Sequence, residues 1–104
     1  MSITKLDQGL SKEIAQLLLD VEAIKLRPHD PFTWASGWKS PIYCDNRISL
    51  SFPEARLKIK QALASAIKEI HPDAEAIAGV ATAGIPQGAL VADELNLPFI
   101  YRGA

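Results

Sequence analysis

The chain has 104 residues, of which 48% are apolar and 22% charged, and its net charge is −1. That composition suits one small globular domain and leaves no bulk electrostatic case for nucleic acid or an anionic membrane as partner. Cys44 is the single cysteine, so no internal disulfide forms, which fits a reducing, cytoplasmic setting.

The elements follow in chain order. Residues 1–7 lack an apolar run of signal-peptide type. Ile14, Leu17, Leu18, Val21 and Ile24 recur at helical spacing and predict a first helix from Leu6 or Ser11 to Lys25, stopped by Pro28 and Pro31. Residues 32–34 and 41–45 read as short extended pieces about a turn, Ala35-Ser36-Gly37-Trp38, forming a hairpin or β-arm. Ser51 as cap, Pro53 in the first turn and Glu54 reaching back mark the start of a second helix. Ile59, Leu63, Ile67 and Ile70 line its apolar face, and Pro72 ends it.

Beyond Ala74 the pattern changes. Ala76-Ile77-Ala78-Gly79-Val80-Ala81 is uniformly small and apolar, as in a strand buried on both faces. Thr82-Ala83-Gly84 is a tight turn, residues 85–96 a helix with Pro86 in its first turn, and residues 97–101 a second strand. Strand, helix and strand make a βαβ unit with a parallel pair. The uncharged run 76–92 is broken by Gly79, Gly84, Pro86 and Gly88, and is shorter than the ~20 apolar residues of a membrane helix.

Two places carry chemistry. Residues 32–47 crowd aromatic faces, hydroxyls, a turn glycine, Lys39 and Arg47 together, a mixture that suits a pocket for a flat, anionic ring. The turn 81–85 joins the carboxyl end of a buried strand to a helix N-terminus, where N–H groups and the helix dipole favour phosphate. Gly84 allows close approach of an anion and Thr82 adds a hydroxyl. Gly79 and Gly84 have P-loop spacing, but Ile85-Pro86 stands where Lys and Ser/Thr are needed. Taken alone, a glycine in a βα turn is explained by geometry.

Together the two motifs are specific. Phe-Thr-x-x-Ser-Gly-x-x-Ser-Pro-x-Tyr, ending at Tyr43, is followed by Asp45 and Arg47, then by Gly79-Val80-Ala81-Thr82-Ala83-Gly84-Ile85-Pro86. This combination closely resembles orotate phosphoribosyltransferase over essentially the whole chain. The resemblance implies an α/β fold: an N-terminal helix and β-arm (1–50), then a helix and the first βαβ unit of a parallel-sheet phosphoribosyltransferase core (51–104), as one partial domain. It also implies transfer of phosphoribosyl from phosphoribosyl pyrophosphate to orotate in pyrimidine synthesis. Mg²⁺ would be bound mainly through the substrate, and the enzyme would be a cytoplasmic homodimer.

Carried onto single residues, the resemblance makes Phe32, Ile42, Tyr43 and Cys44 part of the orotate pocket. Lys25, at the end of the first helix, reaches toward the substrates. Ala81, Thr82, Ala83 and Gly84 form the pyrophosphate loop, without the lysine that other family members carry there. Arg102, after the last strand, is a possible phosphate contact. No strand of this chain ends in two acidic residues, and no Thr/Gly-rich ribose-phosphate loop follows. The chain therefore reads as the N-terminal half of the enzyme, weakly active or inactive alone.

Plainer readings stand beside these. Trp34 and Trp38 are expected on the first helix or at a subunit contact, Cys44 as a small buried residue, Asp45 as a turn cap, and Lys39 and Arg47 as solvated or interface charges. Lys25 also reads as a cation favoured at a helix C-terminus. His29 and His71 lack the spacing of metal ligands. A non-catalytic, nucleotide-sensing relative of the fold, or a protein-interaction module, is the alternative function.

Overall fold

The computed structural model describes residues 8–103, which form two compact units divided inside one helix, after Arg56. The alternative helix start at Leu6 lies outside the described residues.

In the first unit, α1 runs Gln8–Asp20 and half-buries Leu10, Ile14, Leu17 and Leu18. It ends five residues before the predicted stop. Glu22 turns left-handed at φ 61°, and the Ala23 N–H reaches back to the Leu18 carbonyl at 2.9 Å, closing the helix. Ile24–Leu26 is then a strand, β1, and not the last helical turn. It pairs antiparallel with β4 (Ile42–Cys44), setting Ile24 opposite Cys44, Lys25 opposite Tyr43 and Leu26 opposite Ile42. The ladder continues at both ends, from the Asp45 N–H to the Ala23 carbonyl (2.7 Å) and from the Arg27 N–H to the Pro41 carbonyl (2.6 Å). Ala23, at one end of this ladder, is fully buried.

Between these strands, β2 (Phe32–Thr33) and β3 (Lys39–Ser40) form a hairpin about the predicted turn, with Phe32 opposite Ser40; the expected second strand, 41–45, is not part of it, because residues 42–44 pair with β1 instead. Gly37 takes φ 91° at its tip, a conformation that favours glycine. A 3-10 helix, Asn46–Ser51, follows β4 with Asp45 as its N-cap. Its Ser49 is fully buried and donates to the Asn46 carbonyl at 2.6 Å. Ser51 thus closes this short helix, and α2 (Pro53–Ile70) starts at Pro53, one residue later than a Ser51 cap requires.

The second unit holds most of α2, β5 (Ile77–Val80), α3 (Gly84–Leu95) and β6 (Phe99–Arg102). β5 and β6 are parallel, with Ile77 opposite Phe99 and Val80 opposite Arg102, and α3 is the crossover between them. The expected βαβ unit is present. α3 packs on the sheet through glycine: a Cβ at Gly88 would lie 2.7 Å from the Phe99 ring, and one at Gly79 would lie 2.7 Å from the Gly84 carbonyl oxygen. Val91 and Ala92 are buried on this side. Lys60 of α2 approaches Glu94 of α3 at 3.8 Å. Asn96 closes α3 in the left-handed conformation (φ 55°), as Glu22 closes α1.

The expectation of a strand buried on both faces is corrected. Gly79 alone of β5 is buried, while Val80 is 61% exposed, as is Ile100 on β6. Side chains alternate along a strand, so the face carrying Ala78, Val80 and Ile100 is the one turned away from α3, and α3 covers one side of the sheet only.

Candidate functional site

In the first unit the antiparallel ladder gathers rings. The Phe32 and Tyr43 centroids are 5.5 Å apart with planes tilted by 39°, and Trp34 lies 5.8 Å from Tyr43 at 37°. These are offset arrangements of the kind aromatic pairs favour. Tyr43 is therefore held between Phe32 and Trp34 and half-buried. Trp34 packs on this ring, and Trp38 is 76% exposed. Lys25 is the cross-strand partner of Tyr43, so its stem shares the face on which Tyr43 lies. The expectation that Lys25 ends a helix is thus corrected: it is a strand residue, placed by the β1–β4 register.

Sequence reasoning missed Arg27. Its guanidinium stands 4.5 Å above the Phe32 centroid and pairs with the Asp30 carboxylate. Ile42 and Cys44 flank Tyr43 on β4 and, by alternation, point to the opposite face. Cys44 is exposed, not a buried filler, and its thiol lies 3.2 Å from the Asn46 side-chain oxygen.

Asp45 is the cap that the sequence suggested. It accepts the Arg47 backbone N–H at 3.1 Å and the Arg47 guanidinium at 2.9 and 3.1 Å. Those side-chain hydrogen bonds hold the Asp45 carboxyl below its ordinary pKa. Arg47 is accordingly committed to this turn.

In the second unit the turn 81–83 leads into α3. The Ala81 N–H donates to the Arg102 carbonyl at 2.8 Å, and the Ile85 N–H to the Thr82 carbonyl at 3.2 Å. The Ala81–Thr82 peptide is cis. Ala83 occupies the N-cap position and offers no side-chain bond, so no side chain caps α3. Thr82 and Ala83 are exposed. The positive end of α3 therefore meets solvent at the carboxyl end of a parallel strand. Arg102 closes β6 opposite Val80, rather than following the strand, and its backbone anchors the turn. Gln87 Oε1, in the first turn of α3, is buried without a hydrogen-bond partner among the described residues.

Gly79 and Gly88, noted in the sequence only for spacing and as breaks in the uncharged run, have a packing role that it did not reveal: they let α3 close on the sheet. Gly84 has open space, its nearest neighbours lying 3.8 Å from where a Cβ would sit. A hollow of about 170 Å³ lined by Ile67, Lys68, His71 and Leu97 lies at the other end of α3. Among the described residues no three His, Cys, Asp or Glu side chains group to hold a metal ion, and no helix is long and apolar enough to cross a membrane.

The parallel βαβ unit, with the antiparallel aromatic arm before it in the chain, matches the fold of solved phosphoribosyltransferases. A crystal structure of orotate phosphoribosyltransferase from Aeropyrum pernix matches 88% of this chain and 50% of its own, with a TM-score of 0.74 and 28% identity. Within that class the sequence is similar to the orotate enzymes. It is 62% identical over 91 residues to orotate phosphoribosyltransferase of Cytophaga hutchinsonii, and 64% identical over 92 residues to that of Porphyromonas gingivalis. Each alignment covers 88% of this chain and 44% of the relative, so the chain spans less than half the length of the curated relatives it matches. No protein-family model matches it.

Proposed function

We propose that this chain supplies the base-binding arm and the pyrophosphate loop of an orotate phosphoribosyltransferase. The observation that carries the reading is the turn 81–83, exposed at Thr82 and Ala83, which opens α3 with no side-chain cap at the end of a parallel strand. It stands in a chain whose relatives are named for this reaction.

The chemistry asks for what these residues supply. Displacing pyrophosphate from C1 of the ribose builds positive charge on the sugar and negative charge on the leaving group. Orientation and charge neutralisation then do most of the catalysis. The α3 N-terminus and the N–H groups of residues 82–84 meet the diphosphate, with the Thr82 hydroxyl as a further donor. Orotate, a planar carboxylic acid, lies against the face of the arm that carries Phe32 and Tyr43, with Lys25 as its cation; Ile42 and Cys44, whose side chains point to the reverse face, contribute backbone groups, and Arg102 is an outer phosphate contact. Among the described residues no group of carboxylates or histidines would hold Mg²⁺, so the ion would be held mainly by the phosphate oxygens of phosphoribosyl pyrophosphate, and when bound would supply positive charge for the diphosphate. The working enzyme is a cytoplasmic homodimer.

The test is orotate consumption in the presence of phosphoribosyl pyrophosphate and Mg²⁺. It is run on this chain and on a version extended to the length of its relatives. The extended protein is expected to consume orotate, and the 104-residue chain to do so far more slowly. An extended protein that leaves orotate untouched overturns the reading. Turnover by the short chain at full rate overturns the division of labour.

A further inference from the structure

One face of the β1–β4 ribbon carries more than the resemblance assigns to it. Lys25 lies opposite Tyr43, and side chains two apart on a strand share a face. Arg27 is two residues beyond Lys25 and still in the ladder, its N–H bonded to the Pro41 carbonyl. Its guanidinium stands 4.5 Å over Phe32, whose ring meets Tyr43, which meets Trp34. Asp30, within the 28–31 loop, pairs with the guanidinium. Two cations and three rings are thus brought to one surface.

We propose that Arg27 is a positioning residue. Tethered by Asp30 and Pro41, it lies on the Phe32 ring and sets the tilt of the Phe32–Tyr43–Trp34 row against which a planar acid binds. The ion pair alone contributes little, because Asp30 is 83% exposed. The planar guanidinium on a ring face is the contact that matters, and it is one that lysine reproduces in charge but not in shape. The inference rests on the reading that this arm receives orotate, and it adds a residue that holds the pocket's rings without touching the base.

The test uses Arg27→Ala and Arg27→Lys in the full protein, with far-UV circular dichroism and melting to verify the fold. Arg27→Ala is expected to alter the near-UV aromatic signal. It should raise KM for orotate about three- to tenfold, the span of a cation–π contact, with kcat and KM for phosphoribosyl pyrophosphate nearly unchanged. Arg27→Lys should fall between it and the parent. An unchanged aromatic signal or an unchanged orotate KM in folded Arg27→Ala overturns the inference. Should that variant unfold, the same two readouts in Arg27→Lys decide it. A parent protein that does not consume orotate sinks the functional reading instead, and the near-UV signal still reports whether Arg27 sets the rings.

Discussion

Single residues separate what folds this chain from what would work in it. Gly84 and Gly88 lie four residues apart on α3, yet they differ sharply in surroundings. A Cβ at Gly88 meets the Phe99 ring at 2.7 Å and the Gly79 Cα at 3.2 Å. Gly88→Ala is therefore expected to cost about 1–3 kcal/mol, read as a lower melting temperature. Gly84→Ala meets nothing closer than 3.8 Å, so melting should hold while affinity for phosphoribosyl pyrophosphate falls. Equal losses of stability in both variants would show that α3 does not pack as described. The Asp45–Arg47 pair gives a pH signature. A carboxyl held low contributes stability that is whole above the unfolded-state pKa and fades as pH falls through the folded-state one. Asp45→Asn should melt slightly below the parent at neutral pH, and the gap should close in acid. A gap that persists at the lowest pH would refute the assignment.

At the scale of elements, the second unit was legible because local and tertiary preferences agree there. Small apolar residues, a glycine turn, Pro86 and Asn96 all point to strand, turn, helix and helix end. The end of α1 was not legible. Ile24 continues the 14, 17, 18, 21 spacing, so it reads as helical, and Glu22 carries no glycine or asparagine signal for a left-handed turn. Pairing with residues 42–44 overrode the local pattern and moved Lys25 onto a strand. Glu22→Gly should leave stability level or raise it by up to about 1 kcal/mol, whereas Glu22→Val should lower it by about 1–2 kcal/mol, as thermal melts will report. The reverse order would mean that residue 22 is not left-handed. The 3-10 helix Asn46–Ser51 likewise escaped notice, since only the Asp45 cap announces it in sequence.

At the scale of the chain, the aromatic arm and the glycine turn were both visible as motifs. What sequence could not give was exposure. The 76–81 run looks doubly buried because its composition is that of a central strand, yet Val80 and Ile100 face outward here. Val80→Thr and Ile100→Thr are accordingly expected to change the melting free energy of the 104-residue chain by less than about 0.5 kcal/mol. A loss of 2 kcal/mol or more would refute an open face.

The register of β1 against β4 has a consequence for how this arm tolerates change. The pleat repeats every two residues, so a single residue inserted between Ile42 and Tyr43 would turn the tyrosine to the reverse of the ribbon, out of reach of Phe32 and Trp34. Length variation is cheap at the Gly37 tip and ruinous a few positions later, so a lineage could lengthen the hairpin freely while the spacing from Pro41 to Asp45 stays frozen.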